Sequence, residues 1–229
     1  MFNGQISDVF FDLDHTLWDF ERNSELTFDK ILRDNHVDVV LRDFLEVYVP
    51  INLEFWKLYR ENRIAKEELR FQRLRRTFDT IGATVSDETV YILADEYIQH
   101  LSSFTHLIMH TVDVLEYLAP KYKLHIITNG FQEIQEKKLK GSNIHGYFDQ
   151  IIDSEIAGVK KPHPYIFELA LRKANVAAEN SLMIGDSLEA DIIGAKSAGL
   201  HALHFNANNE PHHDFCIIID SLIEIKSIL

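Results

Sequence analysis

Largely apolar runs that end in polar residues recur near the start of the chain and throughout its second half. Ile6 to Phe11 is such a run and stops at Asp12, as a buried β-strand would. From His106 onward, similar runs alternate with stretches in which apolar residues recur at helical spacing. This alternation favours an α/β fold with a Rossmann-like parallel sheet covered by helices on both faces. The other predicted strands are Lys123–Thr128, Phe148–Asp153, Ser181–Gly185, His201–Phe205 and Cys216–Ile219. The predicted helices between them are 112–118, 132–140, 165–174 and 189–198, the last ended by Gly199.

Residues 21 to 103 have a different pattern. Apolar residues recur three and four positions apart, and charged residues fill the remaining positions, which is typical of amphipathic helices. Proline and glycine are scarce, and Pro50 and Gly82 are the clear breaks. The pattern predicts four or five helices inserted directly after the first strand. We therefore predict an α/β core domain of residues 1–17 and 106–229 and an inserted helical domain of residues 18–105.

Composition narrows the class of protein. The 229 residues have a formal net charge of -13, whereas proteins that bind nucleic-acid polymers usually carry a basic surface. The single cysteine, Cys216, excludes an intramolecular disulfide, and its apolar neighbours favour a small core residue. The N-terminus lacks a signal-peptide pattern, and no apolar run is long enough to cross a bilayer. We therefore expect a cytoplasmic protein with neither a membrane nor a nucleic-acid polymer as partner, and the oligomeric state is left open.

Polar residues lie where three of the predicted strands end. Carboxylates at the end of an apolar strand are costly unless something pairs with them. Because the carboxyl ends of parallel strands meet at one edge of a sheet, we expect these side chains to converge. They are Asp12 and Asp14 after the first strand, Thr128 and Asn129 after the second, and Asp186 after the SLMIG strand, with Asp191 five positions later.

The chemistry of this set favours a hard metal ion and a phosphoryl group. Several carboxylates suit Mg²⁺, whereas a lone cysteine and histidines without HExxH spacing argue against zinc. Lys160 and Lys161 precede Pro162 between the second and third of these strand ends. A cation, a lysine and the Thr128 hydroxyl can together neutralise and hold phosphoryl oxygens. One aspartate can attack phosphorus, and an acid two residues away can transfer protons.

Each of these residues also has an ordinary structural explanation. Asp12 and Asp14 could cap a helix, and Thr128 could open a plain Asn-Gly turn. Lys161 could be a solvated lysine, and Asp186 could cap the helix that follows it. Their shared position at strand ends, in this order along the chain, favours the functional interpretation.

The motifs DLDHTL, TNG, KKP and GDSLEAD, in this order, resemble those of the haloacid dehalogenase-like (HAD) hydrolase superfamily. The resemblance covers roughly residues 5–20 and 106–220 and puts the insert where the family has its small helical (C1) cap. It implies a Mg²⁺-dependent hydrolase that works through an aspartyl-phosphate. The roles it implies are nucleophile for Asp12, acid and base for Asp14, phosphate binding for Thr128 and Asn129, charge stabilisation for Lys161 with Lys160 less favoured, metal binding for Asp12, Asp186 and the Asp14 carbonyl, and support of the metal or lysine for Asp191.

The residue at position 14 favours one branch of this superfamily. Its dehalogenases keep no acid there, so Asp14 implies cleavage of a phosphate ester. His15 departs from the Gly or Asp of many members; it could contact the leaving group, but a role in shaping the loop is favoured. The stretches DLDHTLWDFERNS and TNGFQEIQEKKLKGSNIHGYFDQIIDSEIAGVKKPHPYIF further resemble the pyrimidine nucleotidase subfamily of the YjjG or YfnB type. That resemblance implies a 5′-nucleotidase acting on pyrimidine (deoxy)nucleoside monophosphates.

Other functions use the same residue types. A sugar-phosphate phosphatase or a phosphosugar mutase would share every motif. A phospho-receiver domain is disfavoured, because its acceptor would not precede a long helical insert. A binding protein without catalysis is disfavoured by the intact set of acids, lysine and hydroxyl. Trp18 is a candidate for stacking on a base, whereas Trp56 is expected to pack among the helices.

Overall fold

The structure is a computed structural model that describes residues 5–229. The chain divides into two compact units. One unit runs up to Phe20 and resumes at Thr105, and the other extends from Glu21 to Phe104. Within residues 5–229, no helix combines the length and the apolar character that crossing a membrane requires.

The second unit is helical, and its helices pack through aromatic side chains on their apolar faces. The Phe28 ring lies at the centre, 4.9 Å from Phe44, 4.6 Å from Tyr48 and 4.7 Å from Tyr97, measured between ring centroids. Such aromatic pairs add stabilisation beyond the apolar area that they bury. The helices of this unit are α1 (Phe20–Asp34), α2 (Leu41–Arg60), α3 (Lys66–Ile81) and α4 (Asp87–Leu101).

One of the two predicted breaks in this unit is wrong. Pro50 lies inside α2, although proline removes a helical hydrogen bond. The buried face of α2 includes Tyr48, Ile51 and Phe55 on both sides of the proline, so apolar packing offsets the lost bond. Gly82, in contrast, ends α3 in the left-handed conformation (φ 72°), where glycine carries no steric penalty.

The first unit contains a parallel sheet, which confirms the predicted Rossmann-like α/β class. The strands are β1 (Asp8–Phe11), β2 (Lys123–Thr128), β3 (Phe148–Asp153), β4 (Ser181–Gly185), β5 (His201–Phe205) and β6 (Ile217–Ile219). Their order across the sheet, within the described residues, is β3-β2-β1-β4-β5-β6. The bounds of β2, β3, β4 and β5 are those predicted, whereas β1 and β6 begin later than predicted, at Asp8 and Ile217.

Strand β1 lies in the middle of the sheet, between β2 and β4. Phe11 is aligned with Ile126 on one side and with Ile184 on the other. All four residues of β1 are buried, as expected for a central strand with helices on both faces. The strand order reverses at β1, and in open α/β sheets ligands bind beyond the carboxyl ends of the strands at such a point.

Helices flank the sheet, and the segment after β4 differs from its prediction. Residues 189–198 were expected to form one helix, but a π-helical turn, Leu188–Ile193, comes first and an α-helix follows. Gly199 (φ 87°) does follow this helix as predicted. The helices are α5 (Thr111–Leu118), α6 (Gln132–Gly141), α7 (Ser154–Ala157), α8 (Pro164–Ala174), α9 (Gly194–Ser197) and α10 (Ile225–Ile228).

Candidate active site

The carboxyl ends of β1, β2 and β4 bring the predicted polar residues to one edge of the sheet. Asp12 directly follows β1, and its main-chain N–H donates to the Ile184 carbonyl of β4 over 2.9 Å. Thr128 is the last residue of β2, and Asp186 directly follows β4. Main-chain pairing of the strands is therefore enough to bring these residues together, without any contact between their side chains.

Lys161 lies at the centre of this edge. Its Nζ donates to Asp12 Oδ1 over 2.7 Å, to Asp191 Oδ1 over 2.6 Å and to the Ile127 carbonyl over 2.8 Å. These contacts use all three N–H donors of the ammonium. The side chain is only 2% exposed, and a buried charge requires such pairing.

The electrostatic balance keeps Lys161 protonated. Burial alone would lower the pKa of this ammonium, but Asp12 and Asp191 outweigh burial and raise it above its ordinary value. Lys161 is therefore a fixed positive charge beside the Asp12 carboxylate.

The side chain of Asn129 holds the backbone that carries this lysine. Asn129 Oδ1 accepts from the Lys161 main-chain N–H over 2.7 Å, and Asn129 Nδ2 donates to the Lys161 carbonyl over 3.0 Å. The two bonds form a closed bridge between the TNG and KKP segments. Because both ends of the side-chain amide are bonded to Lys161, the group of Asn129 that would contact a phosphate is its main-chain N–H.

Three carboxylates crowd together beside Lys161. Oxygens of Asp12, Asp186 and Asp191 all lie within 4.8 Å of one another. Burial raises the pKa of Asp12 well above its ordinary value; Lys161 opposes this shift, and the two other aspartates add to it. Burial and Asp191 likewise raise the pKa of Asp186 to about 7, against the opposing effects of Lys161, Asn208 and Thr16.

This crowding fits a small divalent cation. One lysine faces three acids, so the cluster is short of positive charge, and a cation would favour the ionised carboxylates. Asp186 is also held from two sides: Thr16 Oγ1 donates to its Oδ1 over 3.2 Å and Asn208 Nδ2 to its Oδ2 over 2.7 Å. All-oxygen donors of this kind are those that Mg²⁺ prefers.

The carboxylate of Asp14 lies apart from this cluster. Lys138 Nζ, on α6, donates to Asp14 Oδ1 over 2.6 Å, and Gln135 Nε2 donates to Asp14 Oδ2 over 3.2 Å. Burial lowers the pKa of Lys138, and Asp14 partly offsets that shift. Of the three predicted metal-binding residues, the structure thus groups the carboxylates of Asp12 and Asp186. For Asp14, the predicted metal ligand is the main-chain carbonyl and not the carboxylate.

Thr128 is prepared to donate a hydrogen bond. Its Oγ1 accepts from the Gly130 main-chain N–H over 3.0 Å and from Gln135 Nε2 over 2.8 Å. A hydroxyl accepts two bonds and donates one, so the two acceptor positions are filled and the O–H is left as a donor. This arrangement suits an anionic oxygen as the third partner.

Two glycines leave space for these side chains. A Cβ at Gly185 would overlap the Asp191 carboxylate, and a Cβ at Gly130 would overlap the Gln135 amide. Asp191 is further fixed because its Oδ2 accepts from the Ser187 main-chain N–H over 3.1 Å. The glycines of the TNG and IGD segments are therefore required by close approach of side chains.

Some residues of this site are not predicted by the sequence pattern. Gln135 and Lys138 stand in a polar helix, where only their spacing of three residues indicates a shared face. Asn208 lies in the segment after β5 and carried no motif. His204 Nε2 lies 2.9 Å from the Asp186 carbonyl and was assigned only to a strand. Trp18, a candidate for base stacking, is fully buried, and its ring centroid lies 4.4 Å from Lys138 Nζ.

The chain is similar to known proteins over most of its length. A family profile described as haloacid dehalogenase-like hydrolase matches residues 8–199. The pyrimidine 5′-nucleotidase PynA of Streptococcus pneumoniae is 33% identical over 207 residues, which are 90% of this chain and 84% of that protein. A glyceraldehyde 3-phosphate phosphatase of Pyrococcus abyssi is 30% identical, over 87% of this chain and 81% of that protein. The crystal structure of the HAD-hydrolase YfnB from Bacillus subtilis bound to magnesium has a TM-score of 0.88 at 27% identity, and the match covers 97% of this chain and 98% of that one.

Proposed function

This chain belongs to the haloacid dehalogenase-like hydrolases, the family that its motifs predict, and on this basis we propose that it is a Mg²⁺-dependent phosphomonoesterase. The reaction would pass through an aspartyl-phosphate on Asp12. The observation that carries the proposal is the position of Lys161, which is buried and bonded to Asp12 over 2.7 Å beside two further aspartates. A nucleophilic carboxylate, a fixed cation and a site for a metal are then within one small volume.

In the first step, a carboxylate oxygen of Asp12 attacks phosphorus and the bond from phosphorus to the ester oxygen breaks. Asp14 in its protonated form gives its proton to the departing oxygen, so an alcohol leaves. In the second step, Asp14 takes a proton from water, the resulting hydroxide attacks phosphorus, and the bond from phosphorus to Asp12 breaks. Inorganic phosphate leaves, and Asp14 is again protonated.

The other residues stabilise the charge on the transferred group. Lys161 supplies a fixed positive charge beside the attacking oxygen, and the Thr128 hydroxyl and the Asn129 main-chain N–H donate to phosphoryl oxygens. Asp12, Asp186 and the Asp14 carbonyl would hold Mg²⁺. When bound, the ion would neutralise negative charge on the phosphoryl group. Asp191 acts through Lys161, which it holds over 2.6 Å.

For the substrate we propose a pyrimidine (deoxy)nucleoside 5′-monophosphate. The similarity to PynA and the resemblance of residues 12–24 and 128–167 to pyrimidine nucleotidases support this choice. The second candidate is a small sugar phosphate, since the relative from Pyrococcus abyssi is named for glyceraldehyde 3-phosphate. A phosphosugar mutase would use the same first step but return the phosphoryl group to its substrate.

The test is phosphate release from a panel of nucleoside monophosphates, sugar phosphates and p-nitrophenyl phosphate. Each substrate is assayed with Mg²⁺, with EDTA, and with the variant Asp12→Asn. We expect fastest release from dUMP or dTMP, loss of release in EDTA, and loss in the variant of about three orders of magnitude or more. Circular dichroism of the variant verifies that its fold is intact.

Other outcomes separate the parts of the proposal. Faster release from sugar phosphates would keep the mechanism and replace the substrate. Conversion of a phosphosugar to its isomer, without free phosphate, would indicate the mutase. Release from no substrate, the aryl ester included, would contradict the enzymatic function itself.

A further inference from the structure

The carboxylate of Asp14 is held at both of its oxygens by one helix. Lys138 Nζ binds Oδ1 over 2.6 Å, and Gln135 Nε2 binds Oδ2 over 3.2 Å. Lys138 and Gln135 lie three residues apart on α6, so they project from the same face. An aspartate with two rotatable side-chain bonds is thereby limited to one orientation.

The lysine in this pair is buried. The Lys138 side chain is 1% exposed, whereas that of Asp14 is 19% exposed. The Nζ also lies 4.4 Å from the Trp18 ring centroid and 5.5 Å from that of Phe20, where an aromatic face attracts a cation. An ammonium withdrawn from water is costly unless it is paired, so the contact with Asp14 is the main compensation for its burial.

We propose that Lys138 is a positioning residue, which holds the Asp14 carboxylate where it can exchange a proton with the leaving oxygen. The inference rests on the proposed phosphatase function. A general acid must lie within hydrogen-bond reach of the oxygen that it protonates, and an error of about 1 Å can cost about 100-fold in rate. Lys138 itself contacts no reacting atom; it acts through Asp14.

The link from α6 to the phosphate subsite supports this role. Gln135 Nε2 also donates to Thr128 Oγ1 over 2.8 Å, and a Cβ at Gly130 would overlap the Gln135 amide. The same face of the helix is thus in contact with the group that donates protons and with the hydroxyl proposed to bind phosphate. A shift of α6 would move both with respect to Asp12.

Leaving-group dependence distinguishes positioning from general stabilisation. p-Nitrophenolate departs without a proton, whereas the alkoxide of a nucleoside requires one. The value of kcat/KM reports on the steps up to departure of the leaving group, so it isolates this difference from the later attack by water. We therefore compare kcat/KM for dUMP and for p-nitrophenyl phosphate in Lys138→Met, Asp14→Asn and the double variant.

We expect Lys138→Met to lose about 10- to 100-fold in kcat/KM on dUMP, and much less on p-nitrophenyl phosphate. Asp14→Asn should show the same selectivity more strongly, and adding Lys138→Met to it should cause little further loss, because the lysine acts through that acid. Lys138→Arg should restore most of the loss, since it keeps the charge and the donors. Lys137→Met, an exposed neighbour on α6, is the matched control and should retain wild-type values.

Failure of the positioning role and failure of the proposed function give different results. Equal losses on both substrates, or additive losses in the double variant, would overturn the positioning role and leave Lys138 as a packing residue. Wild-type rates in Lys138→Met would overturn it as well. A wild-type enzyme that cleaves neither ester would instead contradict the proposed function, and the inference would fall with it. If Lys138→Met does not fold, Lys138→Gln gives the same comparison. The glutamine amide is uncharged and ends one bond closer to the backbone, so it does not replace the ammonium beside Asp14.

Discussion

Asp191 Oδ1 accepts a hydrogen bond from Lys161 Nζ over 2.6 Å, and both side chains are almost fully buried. The same Nζ lies 2.7 Å from Asp12 Oδ1. Asp191 is therefore the group that fixes the lysine beside the proposed nucleophile, and its carboxylate also belongs to the cluster that fits a cation. The two alternatives for Asp191, support of the lysine and support of the metal, are thus compatible in one position.

The first prediction concerns the adjacent lysines. Lys161→Met should lower kcat/KM about 100-fold or more, because it removes a fixed positive charge from the phosphoryl site. Lys160→Met should cause a much smaller loss, since Lys161 makes the contacts with Asp12 and Asp191. Steady-state rates on p-nitrophenyl phosphate measure both. Equal losses in the two variants would show that the charge is shared.

The second prediction concerns the hydroxyl of Thr128. The change Thr128→Val keeps the shape of the side chain but removes the donor proposed to bind a phosphoryl oxygen. We expect kcat/KM to fall about 100-fold, the loss that follows removal of one donor at a site of developing charge. The loss should be similar for nucleotide and aryl substrates, because the phosphoryl group is common to both. Retention of the wild-type rate would remove Thr128 from the phosphate subsite.

The third prediction concerns pH and the cation. The Asp186 carboxyl, which faces Asp12, Asp191 and Lys161, has a pKa of about 7 in the folded protein against an ordinary value of 3.8. Folding therefore favours the protonated form of Asp186. The resulting stabilisation is complete below the pKa of the unfolded chain, 3.8, and is lost as the pH rises through the pKa of the folded protein, about 7. In EDTA, the unfolding temperature should fall between about pH 5 and about pH 8.

Two comparisons check this prediction. Asp186→Asn, whose amide cannot ionise, should show a smaller fall over the same range. Added Mg²⁺ should raise the unfolding temperature of the wild-type protein more at the higher pH, because cation and proton compete for the same carboxylates. A Mg²⁺ effect of equal size in Asp186→Asn would contradict the assignment of Asp186 as a ligand.

The fourth prediction concerns the space beside β4. Gly185→Ala would place a Cβ against the Asp191 carboxylate, which must then move and loosen Lys161. We expect a loss of about 1–3 kcal/mol in the free energy of unfolding, as for other overpacked sites, together with reduced kcat/KM. Gly146→Ala is the control, because a Cβ there meets nothing within 4 Å, and its unfolding free energy should change by less than about 0.5 kcal/mol. Urea unfolding measures the change in the free energy of unfolding, and activity assays measure the change in kcat/KM.

Much of the fold follows from local pattern. The run KLHIIT predicted β2 with its observed bounds, because a short, largely apolar run rich in β-branched residues and followed by Asn-Gly is typical of a buried strand. Gly199 was recognised as a helix end because only a residue that tolerates positive φ suits that position. Pro50 was misjudged because apolar packing of α2, a tertiary effect, outweighs its local preference.

The candidate site was predictable in part. Residues placed at strand ends converge because strand pairing dictates it, and Asp12, Thr128 and Asp186 are of this kind. Lys138 could not be assigned from sequence, because a lysine in a polar helix is usually solvated and its burial depends on the packing of α6. The π-helical turn that carries Asp191 was also missed, since the extra residue in one turn leaves no mark in the periodicity of apolar positions.

The central place of β1 has a consequence for synthesis on the ribosome. Val9, Phe10 and Phe11 are made long before the strands that pair with them, which begin at Lys123 and Ser181. A nascent chain therefore carries an uncovered apolar strand while the whole helical unit is translated, and such exposed strands favour association between chains. A truncated product that stops before β4 leaves one edge of β1 unpaired, and it lacks two of the three clustered acids.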